Sequence, residues 1–234
     1  MTKATILLGL LLAFALLHTE AAHAQDWPNL AEFRAANDSL PPPAAGEDRV
    51  VFMGNSITIG WLGKVPEFFR GRPYVNRGIS GQTTPQMLLR FRQDVIALQP
   101  RVVVILAGVN DIAGNTGHMT LPQIMDNLKS MAELALANGI EPVLCSVLPA
   151  YDFPWRPGLE PYKKVPVLND MIRAYAAEHN LVYLDYFSAM ADARNGLDET
   201  LASDEVHPTV KGYQIMAPLA EAAIARALER SKMR

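Results

Sequence analysis

The sequence predicts an α/β fold, a parallel β-sheet covered by helices on both faces. Short apolar runs of strand length take turns with longer stretches of helical spacing, an alternation that implies strand–helix–strand units. The runs are dense in Val, Ile and Leu without polar alternation, as strands buried on both faces require. The first of them stops on Gly54 before Asn55 and Ser56, and the loops after the second and third also hold glycines with polar side chains close by.

In chain order, an amphipathic entry helix carrying Trp27, Leu30 and Phe33 comes first. The turn-rich linker Ser39-Leu40-Pro41-Pro42-Pro43 separates it from the main fold. Strands are expected at 49–53, 74–75, 102–106, 142–147 and 181–184, and helices at 59–69, 84–98, 121–138, 163–179 and 209–230. This divides the chain into an N-terminal helix and linker at 25–48 and one domain at 49–234, with no internal repeat or low-complexity segment.

The chain has 234 residues, half of them apolar and 19% charged, and its formal net charge of −3 leaves no basic stripe for nucleic acid. Lys3, the apolar run from Ile6 to Leu17 and the small residues Ala22-His23-Ala24 have the layout of a cleaved secretory signal over residues 1–24. Twelve apolar residues fall short of the ~20 that cross a bilayer, so no stable membrane anchor is expected. No cysteine stands at the cleavage site to take a lipid. The expected location is the periplasm or the exterior. Cys145 is the only cysteine, which excludes an internal disulfide, and its strand-like setting marks it as a small core side chain.

In a parallel sheet of this kind, function collects in the loops at the carboxyl ends of the strands. Those loops hold Gly54-Asn55-Ser56, Gly78-Ile79-Ser80-Gly81-Gln82-Thr83, Gly108-Val109-Asn110-Asp111 and Ser203-Asp204-Glu205-Val206-His207-Pro208. Taken singly, Ser-Ile-Thr is a helix cap, Asn-Asp a turn and His-Pro a helix entry. Taken together they contain the parts of a nucleophilic site. A serine hydroxyl becomes nucleophilic when an imidazole takes its proton, and a carboxylate fixes the tautomer of that imidazole. Ser56, His207 and Asp204 can fill those roles. The backbone N–H groups of Ser56 and Gly81 and the side-chain amide of Asn110 are candidate donors to an oxyanion, with the glycine leaving the approach clear. Ser56 at a helix start would also meet the favourable end of the dipole. Of the other histidines, His179 suits a helix C-terminus, whereas His118 lies in a loop that can line the site. No His-x-x-x-His and no paired cysteines occur, so neither a metal nor an organic cofactor is expected. The Gly-x-Ser-x-Gly elbow is absent too, since Ile57-Thr58 follow Ser56.

In order along the chain, these four stretches resemble the sequence blocks of the SGNH (GDSL-like) hydrolases, over residues 50 to about 222. Gly54-Asn55-Ser56-Ile57 is similar to the GDS(L) block, Gly81 to the glycine block, Gly108-Val109-Asn110-Asp111 to the GxND block and Asp204-Glu205-Val206-His207 to the DxxH block. The resemblance implies a three-layer α/β/α sandwich around a flavodoxin-like five-stranded parallel sheet. It implies Ser56 as nucleophile, His207 and Asp204 as its partners, and Ser56, Gly81 and Asn110 as oxyanion donors. Asn55 stands where the family has aspartate, which changes the local hydrogen bonds that orient the serine loop. The function implied is a serine esterase acting on a small-molecule ester, closest to the carbohydrate acetylesterase and PAF-acetylhydrolase-like branches. A lysophospholipase, thioesterase or arylesterase of the same family, or a non-catalytic acyl-carbohydrate-binding protein, are the alternatives.

The proline- and aromatic-rich stretch 149–158 follows the fourth strand and is expected at the same sheet edge. Trp155 and Arg156 are its candidate substrate-binding residues, on the leaving-group side of the pocket. The competing role for Phe153 and Trp155 is to pack the loop down.

Overall fold

A computed structural model of the chain describes residues 26–233, and the expected signal segment 1–24 lies outside them. Five parallel strands, β1 (Val50–Gly54), β2 (Tyr74–Gly78), β3 (Val102–Leu106), β4 (Glu141–Cys145) and β5 (Val182–Leu184), form one sheet in the order β2-β1-β3-β4-β5. Eight helices are described: α1 (Arg34–Ser39), α2 (Ser56–Lys64), α3 (Thr84–Asp94), α4 (Val109–Ile112), α5 (Leu121–Ala137), α6 (Pro161–Glu178), α7 (Phe187–Met190) and α8 (Val210–Ser231). Helices α2 and α8 cover one face of the sheet, and α3, α5 and α6 pack side by side over the other. This is the α/β sandwich expected. Every residue of β1, β3 and β4 is buried, which explains why these strands carry no polar alternation.

The register sets the site. Gly54 at the end of β1 lies opposite Gly78 of β2 and Leu106 of β3, so the segments that leave all three strands emerge side by side. On the α2 side, Phe52 sits edge-on to Trp61, Phe68 and Phe69. Trp61 stacks on Tyr213 of α8, whose hydroxyl donates to the Ile57 carbonyl at 2.8 Å. The helix that begins at Ser56 is thereby fixed to the core through its first turn.

The elements depart from the sequence expectation in local ways. Helix α2 starts at Ser56 instead of 59 and stops at Lys64, because Asn55 caps it and Pro66 begins a separate short 3-10 turn, Pro66–Phe68. Strand β2 runs on to Gly78 through two polar residues that find partners in the interior. Asn76 donates to the Thr58 carbonyl at 2.7 Å, and Arg77 donates to Asn37 Oδ1 at 2.9 Å. The entry helix expected around Trp27, Leu30 and Phe33 is turn structure, and helix begins only at Arg34. The carbonyls of Trp27, Pro28 and Leu30 accept instead from the side chains of Gln86, Gln82 and Gln93, which diverts them from helical pairing. Phe33 still packs, beneath the guanidinium of Arg77.

Backbone contact between α2 and the strands has a testable consequence. A Cβ on Gly78 would stand 2.4 Å from the Ile59 nitrogen and 2.8 Å from the Asn55 carbonyl oxygen, both backbone atoms. Gly63, inside α2, has nothing within 4 Å of such an atom. Gly78→Ala is expected to lower unfolding free energy by about 1–3 kcal/mol, whereas Gly63→Ala should raise it by about 0.5–1 kcal/mol through helix propensity. Urea unfolding of the two variants checks this, and equal midpoints would contradict the close approach.

Candidate active site

The loop after β1 begins with a buried Asn55 whose Oδ1 accepts from the Ile57 N–H at 3.2 Å and so caps α2. Its Nδ2 is buried without a partner among the described residues. Ser56 is thus the first residue of α2, at the positive end of the helix dipole.

Across from it, the segment 203–208 is folded into a tight turn. Ser203 donates to the His207 carbonyl through both its N–H (2.8 Å) and its hydroxyl (2.9 Å), and Glu205 takes a left-handed φ of 64°. The Asp204 carboxylate accepts from the backbone N–H of His207 at 2.8 Å and of Val206 at 3.3 Å, and also faces His207 Nδ1 at 2.8 and 2.9 Å. On the other side of the ring, His207 Nε2 lies 2.9 Å from Ser56 Oγ. A carboxylate only accepts, so the Nδ1 proton points to Asp204 and Nε2 is left to accept from the serine. Partial burial pushes the Asp204 pKa up, but the hydrogen bonds from the His207 backbone and ring, its charge and the Val206 N–H outweigh this and hold it below the ordinary value. The carboxylate therefore stays ionised beside the imidazole.

The opposite wall comes from the loops after β2 and β3. Gly81 has φ +77°, a left-handed conformation, while a Cβ there would meet nothing within 4 Å. Conformation, not lack of space, is what calls for glycine at this position. Asn110, buried in α4, donates to the Gln82 carbonyl at 2.9 Å, which uses one of its two amide N–H groups. Asn115 ties the two loops together: its N–H donates to the Asn110 carbonyl at 3.0 Å and its Nδ2 to the Gly81 carbonyl at 3.1 Å.

Ser56, Ser80, Gly81, Asn110, Asn115, Trp155 and His207 line one cavity of about 430 Å³. Asp204 stands behind His207, so the five residues expected around the reaction centre come together with Trp155. Ser80 and Asn115 are additions: Ser80 was visible only as the neighbour of Gly81, and Asn115 only as one more polar residue after Asn110. Trp155 is 46% exposed, stacks on the buried Phe153, and its ring centre lies 6.3 Å from that of His207. Arg156 is placed differently. Its Nη1 donates to the carbonyls of Ala113 (2.8 Å) and Gly114 (2.6 Å), and it lines an adjoining cavity with His118. Away from the site, His179 caps the C-terminus of α6 against Tyr175. Cys145 is buried in β4, where desolvation pushes its thiol up and out of the thiolate range. Among the described residues no group of three or more His, Cys, Asp or Glu side chains is placed to hold a metal ion.

With this geometry established, known proteins can be compared. Residues 52–215 match the family model of the GDSL-like lipases and acylhydrolases. The chain belongs to that family. A GDSL-like lipase from Bacteroides thetaiotaomicron is similar in structure, with 46% identity, a TM-score of 0.84 and coverage of 86% of this chain and 99% of that one. A candidate acylhydrolase from Bacteroides fragilis gives 44% identity, a TM-score of 0.85 and coverage of 87% and 99%. In sequence, an acetylxylan esterase from Geobacillus stearothermophilus is 30% identical over 158 residues, which are 61% of this chain and 68% of the relative. This member of the GDSL-like family is accordingly a carboxylic ester hydrolase with the parallel α/β sandwich of its relatives.

Asp111, next to Asn110, supports the site from below. It is 2% exposed; its Oδ1 accepts from the Thr84 N–H (2.9 Å) and hydroxyl (2.6 Å), and its Oδ2 has no partner among the described residues. Burial pushes its pKa above the ordinary value, against the opposing hydrogen bonds from Thr84. With the folded pKa raised, the native state holds the proton more tightly than the unfolded chain does. Stability from this group is therefore greatest in acid and falls as pH rises from the ordinary carboxylate value of 3.8 through the raised one. Asp111→Asn lacks that penalty, so its melting temperature relative to the native chain should climb between acid and neutral pH. Thermal scans at a series of pH values test this, and a constant difference would contradict it.

Proposed function

We propose that this protein is a serine esterase that removes short acyl groups, chiefly acetyl, from carbohydrates or small alcohols, with Ser56 as nucleophile, His207 as base and Asp204 as the group that orients it. The observation that carries the proposal is the 2.9 Å approach of His207 Nε2 to Ser56 Oγ, in line with the Asp204 contacts and opening on a cavity whose far wall holds Gly81 and Asn110. In the first step the Ser56 oxygen bonds to the ester carbonyl carbon while its proton passes to Nε2, and the carbonyl oxygen becomes an oxyanion. The N–H groups of Ser56 and Gly81 and the remaining N–H of Asn110 are its donors. Collapse breaks the carbon–oxygen bond to the alcohol, which leaves with the proton from Nε2. Water then repeats the sequence on the acyl-serine, releasing the acid and restoring the hydroxyl.

The acetyl preference is supported by the similarity to an acetylxylan esterase and by the short side chains around Ser56, since Ser80, Gly81, Asn110 and Asn115 line the cavity with Trp155 and His207 as its only large rings. Export rests on the signal-like sequence from Lys3 to Ala24.

Two substitutions test the roles. Ser56→Ala should lower kcat for a small chromogenic acetate by about 10³-fold or more with the melting temperature preserved, the residual rate coming from the oxyanion donors. Asn110→Ala should lower kcat about 10²- to 10³-fold with little change in KM, as the loss of one donor to the transition state does. A Ser56→Ala enzyme that retains a tenth of the native turnover would overturn the assignment of the nucleophile. An Asn110→Ala enzyme with normal kcat and raised KM would make that amide a ground-state contact.

A further inference from the structure

Beside the Ser56 cavity lies a larger one of about 750 Å³, and Asn115 belongs to the walls of both. Its floor is apolar, with Ile112, Met119 and Leu159, while Arg156 and Lys164 stand on its walls. Among the described residues neither cation is neutralised by an ion pair, and Arg156 is also held in place. Arg156 is anchored by neutral carbonyls, those of Ala113 and Gly114, and Gly114 makes room for it: a Cβ there would stand 2.8 Å from Arg156 Nη1. Lys164 lies in the first turn of α6, the helix end at which a positive charge is unfavourable. Its neighbour Lys163 is compensated by Glu160 at 2.5 Å, whereas Lys164 gains only a Coulombic attraction to that same carboxylate. Among the described residues no carboxylate forms an ion pair with Arg156 or Lys164, and the one acid on the cavity wall, Asp111, gives its Oδ1 to Thr84 and keeps its Oδ2 buried. Lysine and guanidinium thus both present positive charge to one space that shares Asn115 with the ester site. Folding gains nothing from that concentration of like charge, but an anionic ligand would.

On the basis of the esterase reading above, we infer that this second cavity is a leaving-group subsite for a carboxylate, so that the natural substrate is an acetyl ester of an acidic, uronate-bearing saccharide. The acetyl group occupies the space between Ser56 and Asn110, the sugar ring passes Asn115 over the apolar floor, and its carboxylate lies between Arg156 and Lys164. An apolar base with cations at the rim suits a ring with C–H faces and one charged substituent better than a plain acyl chain.

The test compares kcat/KM for an acetylated methyl glucuronoside with that for its neutral carboxamide analogue, with p-nitrophenyl acetate as a small reference ester. The native enzyme should favour the carboxylate by about tenfold or more, the range of a charge-assisted hydrogen bond. That ratio should fall toward unity in Lys164→Gln and in Arg156→Gln and persist in Lys164→Arg, with melting temperatures confirming that each variant folds. A native ratio near unity, a ratio that survives in both glutamine variants, or a stronger preference for the corresponding sugar 6-phosphate would overturn the subsite while Ser56-dependent hydrolysis of p-nitrophenyl acetate continued. Absence of that hydrolysis in the native enzyme would overturn the esterase reading and the subsite with it.

Discussion

The buried guanidinium of Arg90 is the constraint on which the site depends. It is 0% exposed and donates to four acceptors: Gln82 Oε1 at 2.5 Å, Asp94 Oδ2 at 3.1 Å, and the carbonyls of Gly54 (3.1 Å) and Arg77 (2.9 Å). Gly54 and Arg77 are at the carboxyl ends of β1 and β2, and Gln82 follows Gly81. One planar group therefore sets the serine loop and the glycine loop relative to each other. Burial pulls the Arg90 pKa down and the Asp94 carboxylate opposes it, while the fork of fixed donors leaves little freedom for either loop to drift. Such a pair contributes little to stability when intact, but leaving one partner alone in the interior costs about 3–5 kcal/mol.

The same network explains why residues 26–39 lie where they do. Asp94 also accepts from Asn37 at 2.7 Å, and Gln82, Gln86 and Gln93 each donate to a carbonyl of the N-terminal segment. The segment backs α3, and α3 carries Arg90. A chain of hydrogen bonds thus runs from the N-terminal turns through a buried charge to the loop that holds Gly81, joining local structure to the geometry of the reaction centre. On the far wall, Asn110 and Asn115 both spend hydrogen bonds on carbonyls of the Gly81 loop, so that loop is held across the cavity from Ser56 by two amides.

Much of this was legible in the sequence, for identifiable reasons. The central strands are buried on both faces, so Val50–Gly54 and Val102–Leu106 had to be written in apolar residues. Asp204 and His207 lie three apart in one turn, where the aspartate bonds the histidine's own N–H, a local arrangement that spacing alone can suggest. What was hidden depends on distant partners. Apolar spacing around Trp27 and Phe33 suggested a helix, but glutamines more than fifty residues away take its carbonyls. Its position after the fourth strand put Arg156 in a loop at the carboxyl edge of the sheet, yet nothing in the sequence could show that Gly114 leaves space for the guanidinium. Asn55 also differed from its expected partner pattern: it caps α2 through Oδ1, leaving the helix start intact without an acid at that position.

The central claim is that Ser56, drawn to His207 and facing the Gly81 and Asn110 donors, is the group that attacks the ester. Reaction of the native protein with a fluorophosphonate, followed by peptide mapping in the mass spectrometer, tests it most directly. The account predicts one adduct, on the peptide that contains Ser56, formed in step with the loss of esterase activity. An adduct on Ser80 or Ser203 that tracks the loss of activity, or full inactivation with Ser56 unmodified, would contradict it.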